Sequence, residues 1–265
     1  VSMRKTFTTF WLAATLAAGA AGQGAVAQTM SIATNPQGSA YYAAGSAIAG
    51  IVSQNTDMRL LVQPTSGSSE NAALVGSGDV EFAILNTVDA AWASSGDADF
   101  EGRPQSDLRL VAAVFQLPMA IAVPDDSEIA ELEDVAGSRI SSDYTSQSTI
   151  KFLQDALLQG VGLSMDDMQG LPVANYVQGM EALIDGRVDV AIVGPTSGKA
   201  IEVDSGLDRR GGLRYLQIPD SEEMLAALAE TYPGSRVATL GPELNLTAIK
   251  EPTNILALSA FVVAN

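Results

Sequence analysis

The sequence predicts an α/β fold of two lobes, each a mostly parallel sheet flanked by helices, with a ligand cleft between the lobes. The first observation is a repeat: Gly78-Asp-Val-Glu-Phe-Ala-Ile-Leu-Asn86 and Gly186-Arg-Val-Asp-Val-Ala-Ile-Val-Gly194 lie 108 residues apart. Each copy follows a helix-like stretch and ends in a polar loop, which indicates two lobes built on one plan. The second is strand–loop–helix alternation, typical of parallel sheets with right-handed crossovers. Such lobes bind small ligands in the cleft at their strand ends.

The first predicted lobe alternates short apolar strands with helices. Turn and capping residues separate these elements, because Gly, Pro, Asn and Ser interrupt regular structure and begin helices. The strand at 82–85 is fully apolar, as expected inside a parallel sheet. In chain order the predictions are strand Met30–Thr34, breaker cluster Asn35–Ser39, helix 40–53, strand Arg59–Gln63, turn Thr65–Ser69, helix Glu70–Val75, strand Phe82–Leu85 and helix Val88–Ala93.

The first crossing between the lobes is predicted at Gln116-Leu-Pro118, between strands Leu108–Phe115 and Met119–Val123. The second lobe then repeats the alternation. Its predicted elements are strand Ser138–Ser142, helix Thr149–Leu158, strand Leu171–Ala174, helix Gln178–Ile184, strand Arg214–Ile218 and helix Ser221–Thr231, before a last apolar strand Ile255–Val263 that crosses back. We therefore predict residues 28–117 plus 251–265 as the first lobe and 118–250 as the second. The absence of a closing helix before Asn265 indicates a C-terminal truncation.

Residues 1–27 are predicted to be a signal peptide. Arg4 and Lys5 precede the apolar stretch 7–21, and Ala25-Val26-Ala27 is a small-residue cleavage site. An anchoring helix is disfavoured, because the stretch is short and rich in Gly, Thr and Ala. The mature protein is expected in the periplasm, cleaved after Ala27 and not embedded in the membrane.

The absence of two residue types excludes several kinds of catalytic and metal site. The chain has no Cys and no His, which excludes disulfides, thiolate or imidazole metal sites and a Ser-His-Asp triad. The formal charge is −17, and −19 once Arg4 and Lys5 are removed with the signal peptide. This charge argues against nucleic acid and anionic membrane surfaces as partners. No cofactor or metal is expected.

Three predicted loops place small or polar residues between a strand end and a helix start. They are Gln37-Gly38-Ser39, Ser66-Gly67-Ser68-Ser69 and Thr145-Ser146-Gln147-Ser148. The first N–H groups of a helix lack partners and its dipole adds about half a positive charge, so such loops bind anions without basic side chains. Ordinary helix capping also explains any one of these loops.

Further residues complete the predicted site. One of Tyr41 and Tyr42 is expected to close over the ligand, and Tyr42 is assigned that role. Asn71 either reaches the cleft or is solvated, whereas Asn86 follows a buried strand, where a polar side chain needs a partner. The predicted ligand-binding residues are Gly38, Ser39, Tyr42, Ser66, Gly67, Ser68, Asn71, Asn86, Tyr144, Thr145, Ser146, Gln147 and Thr196. No catalytic or metal-binding residue is predicted.

The chain resembles the TAXI family, the extracytoplasmic solute receptors of TRAP transporters. The motifs that carry the resemblance are Ile32-Ala-Thr34, Gly38-Ser39 with Tyr41-Tyr42, Thr65-Ser-Gly-Ser68 with Asn71, and Gly78-Asp-Val-Glu-Phe-Ala-Ile84. The resemblance implies a periplasmic binding protein-like fold that hands a small solute to sodium-coupled TRAP permease subunits. Known family ligands are mostly small acids such as glutamate. The chain departs from the family at 146–149, where members commonly have Gly-Ser-Gly-Thr, and at 86–89, where the acid is displaced by one place.

The expected function is capture of a carboxylate-bearing solute, an amino acid or a dicarboxylate such as glutamate or 2-oxoglutarate, by lobes that close through hinge motion. Backbone N–H groups are expected to hold the carboxylate. Three alternatives stay open at this point. They are a binding protein of another importer or a chemoreceptor for a neutral or aromatic solute, an enzyme on the same fold, and an interaction protein with a vestigial cleft.

Overall fold

The computed structural model describes residues 29–265, which form an α/β molecule. The predicted signal peptide lies outside the described residues. The first half of this region comprises β1 (Thr29–Thr34), α1 (Ala40–Asn55), β2 (Arg59–Pro64), α2 (Ser68–Ser77), β3 (Phe82–Asn86), α3 (Thr87–Ser95) and β4 (Arg109–Pro124). The remainder comprises β5 (Arg139–Ser142), α4 (Ser148–Gln159), β6 (Gln169–Pro172), α5 (Tyr176–Ile184), β7 (Ala191–Val193), α6 (Gly198–Gly206), β8 (Leu213–Tyr215), α7 (Glu222–Thr231), β9 (Arg236–Leu240) and β10 (Thr253–Ala264).

The sheet of the first lobe has the order β2-β1-β3-β10-β4. β1 lies parallel to β2 and β3, whereas β10 runs antiparallel to β3, β4 and β9. Ile32 and Ile84 are fully buried at its centre, because apolar strands of a covered sheet face helices on both sides. The carboxyl ends of β1 and β3 consequently meet at one edge, where α1 and α3 begin.

The sheet of the second lobe is built in the same way around the far half of β4. β5 and β6 pair in parallel, and Ile140 in β5 forms a parallel bridge with Val190, just before β7. β7 and β8 pair antiparallel with residues 120–124 of β4. The fold is thus an α/β arrangement of two lobes with mixed sheets and flanking helices.

β4 is one continuous strand, so the predicted break at residues 116–118 is wrong. Leu117 pairs with Leu258 and Pro118 with Ala257 in β10, so the ladder runs through the predicted crossing. The near half of β4 belongs to the first sheet and the far half to the second. The connection between the lobes is therefore a strand rather than a loop.

Both copies of the sequence repeat occupy equivalent places. Gly78 follows α2 and Gly186 follows α5, with φ values of 79° and 67°, a left-handed conformation that glycine adopts without steric cost. The chain then enters β3 in the first lobe and β7 in the second. The repeat therefore marks the turn from a helix into a buried strand in each lobe.

The acidic residue at the fourth position of the repeat has the same partner type in both lobes. Glu81 Oε2 accepts a hydrogen bond from the backbone N–H of Ser31 in β1, at 2.6 Å. Asp189 Oδ2 accepts one from the backbone N–H of Arg139 in β5, at 3.0 Å. Each acid therefore ties its unit to the first strand of its own lobe.

Candidate functional site

A narrow cavity lies between the lobes where five helices begin: α1, α2 and α3 from the first lobe, and α4 and α5 from the second. Its volume is about 20 Å³, room for about one water molecule, so the two lobes are closed on each other. The polar lining residues are Asn35, Ser39, Ser68, Asn86, Gln147 and Thr149. The aromatic and apolar lining residues are Tyr41, Leu117, Met119, Ile150, Leu153, Tyr176, Tyr232 and Leu258.

A buried amide network supports the first-lobe wall. Asn71 Nδ2 donates to Asn35 Oδ1 at 2.9 Å and to the backbone oxygen of Ile84 at 3.4 Å. Thr65 Oγ1 donates to Asn71 Oδ1 at 2.7 Å. Asn71 is fully buried and does not line the cavity. Its role is to fix Asn35, which lines the cavity and lies 3.4 Å from Ser68 Oγ.

Helix caps position two further lining residues. Ser39 caps α1, and its Oγ accepts from the backbone N–H of Tyr42 at 3.1 Å. Asn86 caps α3, and its Oδ1 accepts from the N–H groups of Val88 and Asp89 at 2.8 and 2.9 Å. Ser39 ends the loop after β1 and Asn86 is the last residue of β3, so capping itself places these side chains in the cavity wall.

Gln147 is the lining residue that connects two helix starts in the second lobe. Its Oε1 accepts from the backbone N–H of Tyr176 at 2.9 Å, which joins the starts of α4 and α5. Its own N–H donates to the backbone oxygen of Tyr144 at 2.7 Å. The Tyr144 side chain is fully buried, with its hydroxyl 3.4 Å from Gln154 Oε1. Tyr144 is therefore part of the core beneath the site.

Three tyrosines bring phenol groups to the cavity. Burial raises the pKa of Tyr41, Tyr176 and Tyr232 above the usual tyrosine value, so all three are neutral hydrogen-bond donors. The hydroxyl oxygens of Tyr41 and Tyr232 are buried, and neither has a partner in hydrogen-bond geometry among the described residues, although the Asn86 side chain lies near enough to Tyr41 to lower its pKa. An unpaired buried polar group costs about 1–3 kcal/mol. These two hydroxyls are thus free to bind a solute.

A buried carboxyl group lies beside this cavity. Asp89 is 1% exposed, and Asn86 Nδ2 donates to its Oδ2 at 2.6 Å. Burial raises its pKa from 3.8 to about 7, against the opposing effect of hydrogen bonds from Ser68, Thr149 and Asn86. No residue that lines the cavity is basic. The surroundings therefore supply hydroxyl and amide donors and one carboxyl that titrates near neutrality.

The structure brings some of the predicted site residues to the cavity and leaves others outside it. Ser39, Ser68, Asn86 and Gln147 line it. Among the lining residues of the described region the following are absent: Gly38, Tyr42, Ser66, Gly67, Asn71, Tyr144, Thr145, Ser146 and Thr196. Of these, Ser66, Thr145 and Thr196 are exposed and Tyr42 is half-buried. The backbone oxygen of Gly38 accepts from Lys199 N–H at 3.1 Å, a contact between the lobes.

Five lining residues are absent from the predicted set: Asn35, Tyr41, Thr149, Tyr176 and Tyr232. Asn35 directly follows β1 and Thr149 lies in the first turn of α4, and both adjoin predicted loops, which is the signal that could have found them. Tyr41 precedes Tyr42 by one place, and only the helix orientation separates the two. Tyr232 follows α7 far along the chain, where no local pattern indicates proximity to the cleft. Within residues 29–265 no group of three acidic, His or Cys side chains is placed to hold a metal ion.

One known protein family matches most of the chain. The model of the NMT1-like family matches residues 32–265. The chain belongs to the NMT1-like family. This family match covers the strands, the helices and the cavity described above, and the resemblance to the TAXI family stays a prediction.

Solved structures show that this NMT1-like protein has the periplasmic binding protein fold. The alkanesulfonate-binding protein SsuA from Xanthomonas axonopodis pv. citri, bound to MOPS, is 17% identical with a TM-score of 0.53, over 91% of this chain and 67% of that one. PhnD1 from Prochlorococcus marinus, in complex with methylphosphonate, is 9% identical with a TM-score of 0.57, over 89% and 76%. The chain spans 61–67% of the length of this SsuA protein and of two other SsuA proteins. No helix within residues 29–265 is long and apolar enough to cross a membrane.

Proposed function

We propose that this NMT1-like protein captures a small solute between its lobes and delivers it to a membrane importer. The observation that carries the proposal is the cavity at five helix starts, with the hydroxyls of Tyr41 and Tyr232 buried and unpaired beside it. A matching solute recovers the free energy that such unpaired groups cost. Because the cavity has room for about one water molecule, the lobes must part to admit a solute, and a solute that touches both lobes then holds them together.

The proposed solute is a small organic acid, and specifically a carboxylate. Neither α2 nor α4 has a side-chain cap, so their first N–H groups are donors for an anion. The phenol groups of Tyr41 and Tyr232 add neutral donors. Two proteins of the same fold were solved with MOPS and with methylphosphonate, which both carry an acidic head group. Sulfonate and phosphonate solutes therefore belong in the test beside carboxylates.

The proposed residues combine the sequence prediction with the cavity. Ser39, Ser68, Asn86 and Gln147 are kept from the predicted set, and Tyr41 and Tyr232 are added. The lobes are proposed to divide at residues 117–118 and 250–251, near the middle of β4 and before β10. The protein is proposed to be exported to the periplasm and to bind without turnover. The TAXI resemblance supports TRAP permease subunits as its partner.

A second candidate is a receptor for a neutral or aromatic solute. The observation that favours it is the carboxyl of Asp89 beside the cavity, together with the apolar lining residues Leu117, Met119 and Leu258. A charged Asp89 repels an anion, whereas a neutral solute with a hydroxyl or amide group avoids that repulsion. Another importer or a chemoreceptor system is the expected partner in that case.

A thermal-shift screen separates these candidates. The purified protein is heated with glutamate, 2-oxoglutarate, an alkanesulfonate, methylphosphonate and a set of neutral sugars and aromatic compounds. A solute at one hundred times its Kd adds about 2.7 kcal/mol of stability. For a chain of this size that corresponds to a rise in Tm of roughly 5–11 °C.

The proposal predicts a rise with one class of acid. Ser68→Ala is expected to reduce that rise, and Ser66→Ala, an exposed position in the same loop, is the matched control. A rise only with neutral compounds would replace the organic acid by the second candidate. A folded protein whose Tm responds to no compound of the screen would contradict the solute-receptor proposal.

A further inference from the structure

Two carboxyl groups of the first lobe meet helix starts from both lobes. Asp99, which lies in a short 3₁₀ helix after α3, accepts hydrogen bonds through Oδ2 from the hydroxyls of Ser69 and Ser148. Ser69 is in the first turn of α2, and Ser148 begins α4. One carboxylate therefore joins the first lobe to the second through two side-chain hydroxyls.

Asp89 lies beside the neighbouring hydroxyls, one residue earlier in α2 and one residue later in α4. Its carboxyl is buried and is bound by Asn86 Nδ2 at 2.6 Å, and the hydroxyls of Ser68 and Thr149 lie near enough to lower its pKa. Ser68 belongs to α2 and Thr149 to α4. Consecutive hydroxyls of α2 thus face consecutive hydroxyls of α4 across two acidic side chains, one exposed and one buried.

The two helix starts favour negative charge at this place. Gly67 and Gln147 occupy the N-cap positions, and neither caps its helix with a side chain. Free N–H groups and the helix dipole stabilise an anion within the first turn. The helix starts also lie against each other, because a Cβ on Gly67 would lie 2.0 Å from the backbone oxygen of Ser146. The Asp99 carboxylate therefore lies where helix starts of the two lobes touch, whereas at Asp89 the effect of burial outweighs that of the helix starts.

We propose that Asp89 and Asp99 form an acidic latch, which holds the first turns of α2 and α4 together and sets the fraction of molecules whose cleft is closed. The latch is made by the protein's own side chains. It therefore acts in the absence of any solute and is independent of the solute class proposed above. A solute enters only when the latch opens, so the latch governs access to the cavity.

Buried Asp89 makes the latch sensitive to pH. Its pKa of about 7 in the closed arrangement falls toward the ordinary value when the cleft opens to water. The closed arrangement therefore binds more protons, and it loses stability as pH rises toward about 7. The titratable groups that act on Asp89 are Tyr41, Tyr232 and Asp99. Burial keeps both tyrosines neutral in this range.

Distance measurements between spin labels test the latch without any solute. The chain contains no Cys, so two introduced cysteines, at the exposed positions Ser94 in the first lobe and Asp166 in the second, carry the only labels. Asp99→Ala is expected to lower the ratio of closed to open molecules about fivefold, the effect of losing one ordinary hydrogen bond, because Asp99 is exposed. Asp97→Ala is the matched control, because Asp97 accepts from Ser95 within its own lobe.

A second pair of variants keeps the test decisive if Asp99→Ala folds poorly. Ser148→Ala removes a donor from the opposite lobe and is expected to open the cleft in the same direction. Asp89→Asn is expected to abolish the change in closed fraction between about pH 5 and pH 8. Distance distributions of Asp99→Ala and Ser148→Ala that match the Asp97→Ala control would overturn the latch. A pH response that survives in Asp89→Asn would overturn the role of Asp89.

Discussion

Replacing Gly67 with alanine is expected to hold the lobes apart. The backbone at Gly67 is extended, with φ 167°, so alanine adopts it without strain. Its Cβ would lie 2.0 Å from the backbone oxygen of Ser146 and 2.4 Å from Gln147 Cγ, whereas ordinary contact begins near 3.4 Å. The start of α2 and the loop before α4 must therefore separate by about 1.4 Å. Both atoms belong to the second lobe, so the separation opens the cleft.

The size of this effect follows from the cost of overpacking. Forcing an extra methyl group into a packed contact costs about 1–3 kcal/mol, and a tenfold change in an equilibrium corresponds to about 1.4 kcal/mol. The ratio of closed to open molecules is thus expected to fall about 5- to 150-fold. The lobes themselves are not overpacked by this change, because the clash is between them.

Small-angle X-ray scattering is the assay, with the radius of gyration as its readout. Gly67→Ala is expected to give a larger radius than the wild-type protein at the same pH. Gly50→Ala is the matched control, because an added Cβ there meets nothing within 4 Å. An unchanged radius in Gly67→Ala, with thermal unfolding that shows a folded protein, would refute the contact between Gly67 and the second lobe.

Three further predictions concern stability in the absence of a solute. Tyr41→Phe and Tyr232→Phe each remove a hydroxyl that is buried without a partner, so urea denaturation is expected to show no loss, and a loss above about 1 kcal/mol would reveal a missed hydrogen bond. Because folding raises the pKa of Asp89, this group stabilises the fold fully below pH 3.8, its ordinary pKa. The stabilisation is lost as pH rises to about 7. Stability of the Asp89→Asn variant should therefore depend less on pH between about 4 and 7, and an unchanged pH profile would contradict the raised pKa. A Cβ on Gly45 would lie 2.4 Å from Thr34 Cγ2 in the buried contact of α1 with β1, so Gly45→Ala is expected to cost about 1–3 kcal/mol by denaturation, and a neutral effect would show that α1 shifts freely.

The fold was predictable because its determinants are local. Apolar strands, breaker residues and caps mark β1, β3 and α3 within a few residues, and the repeat marks the same helix-to-strand turn in both lobes. The prediction did not identify β9, whose sequence Arg236–Leu240 is half-buried at most. It divided β4 into two strands at residues 116–118, although the strand continues there. Pairing with β10, a contact distant in sequence, decides the course of β4 and leaves no local signature.

The site was predictable in part for the same reason. Ser39, Asn86 and Gln147 stand at helix starts, and helix starts follow from capping patterns. The choice between Tyr41 and Tyr42 depends on the rotation of α1, which neighbouring elements set. Tyr232 reaches the cavity only through the packing of the segment that follows α7. Asp89 lies in the first turn of α3, where acidic residues are common, and no local pattern indicates that its carboxyl is buried.

Isothermal titration calorimetry with the acid that gives the largest thermal shift tests the solute-receptor account most directly. The account predicts one binding site per chain and at least a tenfold weaker Kd for Tyr41→Phe, because the solute is bound by a hydroxyl that has no other partner. Tyr42→Phe, a half-buried neighbour outside the cavity, should bind as the wild-type protein does. Equal affinity of the Tyr41→Phe and wild-type proteins would contradict the assignment of the cavity between the lobes as the binding site.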